Sequence, residues 1–248
     1  MGWIKLQIVY ECLLKGGSAR WWRNRHTKHH ACPNVVGMDG DLRTTPFLAW
    51  DPVLAKKVPS GLLGVQHLTF LPLLALYVPI FFVTTKNYLL HAASKLKLEV
   101  AAVVLHWAIA LYALPLRELA VLYGIGYAVQ GVYLGFFFSL SHFHMPRQKG
   151  SEVPWPQIQA AASADWSQRS AAARLLSGFL NLQIEHHFAP RLPPENLAVV
   201  APDVKAFCTK HGFPYEESGF WVAACHTFGG LRTTARTELS LRTAKKAA

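Results

Sequence analysis

With 248 residues, 52% of them apolar, and a mean hydropathy of +0.19, the chain is long enough for a single compact unit and too apolar for an average soluble domain. Its net charge of +11 comes without any RNA- or DNA-binding signature and its basic residues flank apolar segments, which excludes nucleic acid in favour of anionic lipid headgroups or an acidic protein partner. The four cysteines, Cys12, Cys32, Cys208 and Cys225, form no CxxC pair, which argues against a zinc ribbon and fits a thiol-reducing, cytosolic face.

In chain order, MGWIKLQIVYECLLKGG lacks the basic leader, apolar core and cleavage site of a signal peptide. WWRNRHTKHHACPN comes next, and its His26, His29 and His30 stand at i, i+3 and i+4, one face of a helix on which three imidazoles could converge on a metal. Imidazole suits iron, copper, nickel and zinc alike. Arg20, Arg23, Arg25 and Lys28 surround this run, either as a docking face for an acidic electron donor or phosphate-bearing carrier or as a solvated basic face by the headgroups.

Three apolar segments follow: Leu68 to Val83, Leu98 to Leu114, and Leu119 to Leu140. The last two approach the roughly 20 residues that span a bilayer, and only PLRE separates them, so they predict a transmembrane helical hairpin. Lys86, Lys95 and Lys97 precede the hairpin and Arg147 and Lys149 follow it, which places both its ends in the cytosol. Pro72 and Pro79 disfavour a straight spanning helix in the first segment, so an interfacial or re-entrant course is expected there. Farther on, QIEHH repeats the earlier offsets, with Gln183 leading His186 and His187. A chance doublet is expected roughly half a time in a chain this rich in histidine; the shared spacing is the stronger signal. The polar, basic residues 233–248 are expected to form a disordered tail after a domain over residues 1–232, and Lys245 with Lys246 resembles a dilysine endoplasmic-reticulum retrieval signal.

Four stretches, GGSARWWRNRHTKHHACPN, DLRTTPFLAWD, SGFLNLQIEHHFAPRLPPENL and FCTKHGFPY, stand in an order that resembles the C-terminal part of membrane fatty acid desaturases of the front-end type, in which a glutamine leads the third histidine box. The resemblance implies an all-α integral membrane protein: a transmembrane hairpin, interfacial helices and a cytosolic helical cap holding two iron ions. It implies ligand roles for His26, His29, His30, His186 and His187, with Gln183 as a ligand or as a partner orienting one, and a further ligand in His142 of SLSHFHMP; the family pattern at His144 is not uniform. Trp21, Trp22, Phe136, Phe137, Phe138 and Trp155 either line an acyl channel or anchor the chain at the membrane interface. His67, His91, His106, His211 and His226 are explained by packing, a hydrogen bond or a surface position.

The activity so implied is oxygen-dependent introduction of a cis double bond into a polyunsaturated acyl chain carried on coenzyme A or a glycerolipid, in the endoplasmic reticulum with the histidines facing the cytosol. An unactivated methylene offers no acidity to a side-chain base, so a metal oxidant is required. Neither a His-Pro-Gly-Gly haem motif nor the family's first histidine box matches here, so electrons are expected from a separate cytochrome b5 and its reductase. The alternatives are a truncated, inactive desaturase-like membrane protein and a related di-iron lipid hydroxylase.

Overall fold

The computed structural model describes residues 2–77, 97–148 and 153–247; the latter part of the Leu68 to Val83 segment, with Pro79, Lys86, Lys95, His91 and Lys149, lies outside the described residues. Two compact units arise, one from residues 1–27 and 72–133 and the other from 28–71 and 134–248.

In the first unit, α1 (Gly2–Ile8) runs into a wider π-helical stretch (Val9–Leu14), and α2 (Ala19–Ala31) begins at Ser18. The Ser18 hydroxyl accepts from the Trp21 amide at 3.1 Å and donates to the buried carboxylate of Glu99 at 2.7 Å, which also accepts from the Arg20 amide. A carboxylate and a hydroxyl thus satisfy amides that the first turn of α2 leaves without intrahelical acceptors. Glu99 belongs to α5 (Lys97–Ala113), and only Leu114 and Pro115 separate α5 from α6 (Leu116–His142). The expected PLRE turn is therefore shorter than its sequence suggested, with Arg117 and Glu118 already in the first turn of α6. His106 on α5 donates from Nδ1 to the Leu13 carbonyl at 2.8 Å and accepts at Nε2 from the Tyr123 hydroxyl at 2.8 Å, which gives this histidine a structural role. Among the described residues, α6 is long and apolar enough to cross a membrane.

The second unit contains a short helix α3 (Pro52–Ala55), capped by Asp51, and most of α4 (Ser60–Leu74). Pro72 was expected to disfavour a straight spanning helix; α4 includes it and closes two residues later in a tighter turn, Leu76 N bonding Leu73 O, so it is an apolar helix shorter than a membrane span. After α6 come α7 (Trp155–Ala162), β1 (Ala164–Trp166), α8 (Ala171–Ser177), α9 (Gln183–Phe188), α10 (Leu197–His211), β2 (Glu216–Ser218) and α11 (Phe220–Ala247). The two short strands pair in parallel, Asp165 opposite Glu217.

The stretch expected to be a disordered tail is helical, because α11 continues without a break to Ala247. Its Ala235 packs with Ala49, Ala55, Val58 and Leu63, while the Arg242 guanidinium bonds Glu238 Oε1, Ser60 Oγ and the Ala55 carbonyl. A basic composition concealed one buried stripe and an i,i+4 ion pair.

Gln66 on α4 holds this corner together. Fully buried, its amide accepts from Ala49 N at 2.9 Å and donates to Ala49 O at 3.1 Å and Leu231 O at 2.7 Å. Gln66→Leu leaves the buried Ala49 amide and carbonyl without partners and is expected to cost about 2–4 kcal/mol, read as a fall in the thermal midpoint of the detergent-purified protein.

Candidate metal centre

Three histidines of the second unit, carried on three helices, converge. His29 near the end of α2, His142 as the last residue of α6 and His187 on α9 are each buried, and one ring nitrogen of each lies within 4.8 Å of the others. Their ring centroids stand 4.8–5.1 Å apart. A second pair adjoins: His30 Nε2 and His186 Nε2 are 3.1 Å apart, and the His30 ring lies 4.3 Å from that of His187.

Hydrogen bonds on the outer side of each ring decide which nitrogen faces inward. His142 Nδ1 donates to the Ala162 carbonyl at 2.9 Å, and His29 Nδ1 donates to the Asp39 carboxylate at 3.0 Å; neither acceptor has a proton to give. His187 Nδ1 lies 2.8 Å from the amide oxygen of Gln159, itself an acceptor. A neutral imidazole has one N–H, so the Nε2 atoms turned to the centre carry lone pairs. The Nε2 atoms of His142 and His187 face one another at 3.3 Å. Two buried lone pairs at that distance repel, and a cation between them is the natural relief; a carboxylate or carbonyl behind each imidazole is also the usual support of a metal-bound histidine.

Protonation follows the same logic. Burial and then the neighbouring His29 push His186 down to about 4, and burial with the surrounding imidazoles holds His187 well below the usual histidine range. Burial alone would raise Asp39, but the His29 N–H and the Asp41 and Asn34 amides, which it accepts, keep its carboxyl below the usual value. The site therefore offers neutral nitrogen donors backed by an ionised carboxylate, and the donor set fits a metal ion that prefers imidazole.

Gln183 is fully within this group. Its Nε2 lies 3.0 Å from His142 Nε2, and its buried Oε1 has no hydrogen-bond partner among the described residues. Turning the amide over would bring that oxygen to the centre. His26 lies one turn before His30 on α2, with Trp22 packed edge-on against it at 5.3 Å. His144 pairs with His226 instead, ring to ring at 5.6 Å. Of the aromatics, Phe136 and Phe137 pack on the cluster of Leu140, Trp166, Ala223 and Ala224, with Phe137 stacked on Trp166. Phe138 is half-buried on α6, Trp155 stands near Phe188, and Trp21 lies beneath the Arg25 guanidinium.

Sequence reasoning missed the residues that aim the imidazoles. Asn34 donates from its side chain to the carbonyls of His142 (2.9 Å) and Ala162 (3.3 Å), while its own amide bonds Asp39. On the far side of α9 the Ile184 amide bonds Asp165, and the Tyr215 hydroxyl donates to Glu185 at 2.7 Å. Burial and the adjacent Glu185 raise Asp165 well above the carboxylate range, so this pair holds a proton. Two signals were present: the acidic pair in MDGD just after the histidines, and a glutamate inside QIEHH.

Buried, inward-facing imidazoles at the end of a membrane-length helix form a cluster of the kind that could hold a metal in a helical protein. The fatty acid desaturase family model matches residues 2–219, and the chain belongs to that family. It is 31% identical over 250 residues to the acyl-lipid (9-3)-desaturase of Physcomitrium patens, covering 89% of this chain and 45% of the relative. With the acyl-lipid (8-3)-desaturase of Rebecca salina the identity is 31% (93% of this chain, 56% of the relative), and with human fatty acid desaturase 3 it is 36% (85% and 49%). The chain thus spans about half the length of the curated relatives it matches. No solved structure matches it.

Removing the carboxylate behind His29 tests the geometry. Asp39→Asn is expected to weaken ferrous-ion binding about 10–100-fold in a chelator competition, and Asp41→Asn, whose carboxylate is 3.4 Å from His29 Nδ1, is expected to weaken it less.

Proposed function

We propose that the chain carries most of the iron-binding half of a membrane fatty acid desaturase, one that introduces a cis double bond into a polyunsaturated acyl chain. The observation that carries this reading is the convergence of the Nε2 atoms of His29, His142 and His187, each with Nδ1 committed outward. His30 and His186 form the beginning of a second ligand group, to which His26 is added by helix periodicity. Gln183 serves either as an oxygen ligand or as the donor that orients His142.

A pair of iron ions bound here would supply the oxidant: dioxygen, two electrons and two protons would take two hydrogens from the acyl chain and end as two waters. The protein's own part is to hold the imidazoles neutral, to fix their tautomers through Asp39, Ala162 and Gln159, and to keep solvent from the centre by burial. The helix pair α5 and α6 is read as the membrane hairpin, with the histidines at its cytosolic end in the endoplasmic reticulum. Electrons come from a cytochrome b5-type donor and its reductase, and the acyl group rides on coenzyme A or a glycerolipid. Trp21, Trp22, Phe138 and Trp155 remain the candidates for the acyl channel that are not taken up by the Trp166 cluster.

The named relatives support the substrate class, since each is called a desaturase of acyl lipid or fatty acid. The test is iron per chain together with product analysis. The protein, joined to whatever coding sequence precedes it, is expected to bind about two irons per chain and, in yeast fed polyunsaturated acids, to yield a product two mass units lighter. His187→Ala is expected to lose both. A product gaining oxygen would assign a hydroxylase, and full iron binding by His187→Ala would remove that residue from the centre.

A further inference from the structure

Away from the histidines, the second unit carries a cavity of about 300 Å³ bounded by the β1–α8 connection, α10 and β2. Its charged lining is Arg169, Arg174, Lys205 and Glu217. Lys205 bonds Glu217 at 2.9 Å and lies over the Tyr215 ring, so the cavity's one carboxylate is already matched. Arg169 and Arg174 are left uncompensated: among the described residues neither guanidinium makes a hydrogen bond or an ion pair. Arg169, at an exposed position, and half-buried Arg174 line the cavity beside a floor of Leu182, Ala201 and Pro202, an arrangement to which a multiply charged anion is complementary.

Guanidinium forks match the oxygens of phosphate, and the volume suits a phosphate ester rather than a bare halide. A second feature identifies the source. Directly after Arg174, Leu175 and Leu176 on α8 are 74% and 66% exposed. Apolar side chains bared to the outside beside an arginine are the pattern of a helix lying in a membrane interface, its aliphatic groups among acyl chains and its cation at the phosphates.

We propose that this cavity is a binding site for the phosphate of an anionic membrane lipid, with Arg169 and Arg174 as its ligands and Leu175 and Leu176 seated in the adjoining leaflet. The site is separate from the metal centre, and its occupancy is read without reference to catalysis.

The experiment is calorimetric titration of the full chain in non-ionic detergent with short-chain phosphatidic acid, with coenzyme A and inorganic phosphate as parallel arms. Saturable binding of phosphatidic acid, tighter than either other probe, is expected. R169Q/R174Q is expected to weaken it about 10–100-fold, whereas R232Q/R236Q, which removes equal charge from exposed positions of α11, is expected to leave it unchanged. The single variant R169Q, at an exposed position, repeats the comparison should the double variant fail to fold. Absence of saturable binding, equal binding by R169Q/R174Q, or an equal loss in R232Q/R236Q would overturn the site. Tighter binding of coenzyme A would overturn the lipid assignment and give the site to a soluble phosphate carrier.

Discussion

Everything at the candidate metal centre depends on the outward hydrogen bonds of three histidines. A neutral imidazole has one proton, and Asp39, Ala162 O and the Gln159 amide oxygen each face Nδ1, which leaves Nε2 of His29, His142 and His187 as an inward lone pair. Reverse any of these bonds and a proton points at the centre. The acceptors come from distant parts of the sequence, so the centre requires the second unit to be folded around it.

Asn34 is where those supports meet. With φ at +57° it adopts a left-handed conformation that asparagine tolerates better than most residues. From there its amide and side chain reach Asp39, behind His29, and the Ala162 carbonyl, behind His142. It also bonds the carbonyl of His142 itself, at the end of α6, where helix carbonyls lack intrahelical donors. The Arg147 guanidinium completes the cap, donating to the carbonyls of His142, Phe143 and Met145. One turn after the first histidine run therefore ties the surroundings of His29 to those of His142, so that these two imidazoles are held in a fixed relation.

The sequence carried the candidate ligands because spacing survives without a structure: i, i+3 and i+4 share a helix face whatever surrounds the helix. The apolar helices α5 and α6 were equally legible as helices, since long apolar runs have few alternatives. What remained hidden was set by tertiary neighbours. Asp39 looks like any loop acid until His29 is seen 3.0 Å away, and Glu185 looks like a solvent-facing residue until Tyr215 covers it. Composition misled at the C terminus, where residues 233–247 are charged yet helical, because burial of Ala235 and the Arg242 contacts outweigh average polarity. Pro72 stands in the last turn of α4, which ends two residues beyond it at Leu74.

Burying imidazoles in this way has a consequence for metal loading. An exposed histidine near neutrality is partly protonated, and a metal must displace that proton, whereas His186 and His187 are kept neutral by burial and by neighbouring imidazoles, His29 among them. The same fold holds the lone pairs of His142 and His187 facing one another at 3.3 Å, which raises the free energy of the metal-free fold. Both effects favour the occupied state, the first by removing a competitor and the second by destabilising the alternative. The buried Asp39 carboxylate adds to them, since in low dielectric its attraction for a cation behind His29 is stronger than it would be at the surface. Affinity in this centre therefore resides as much in the acceptors behind the rings as in the number of histidines that touch the metal.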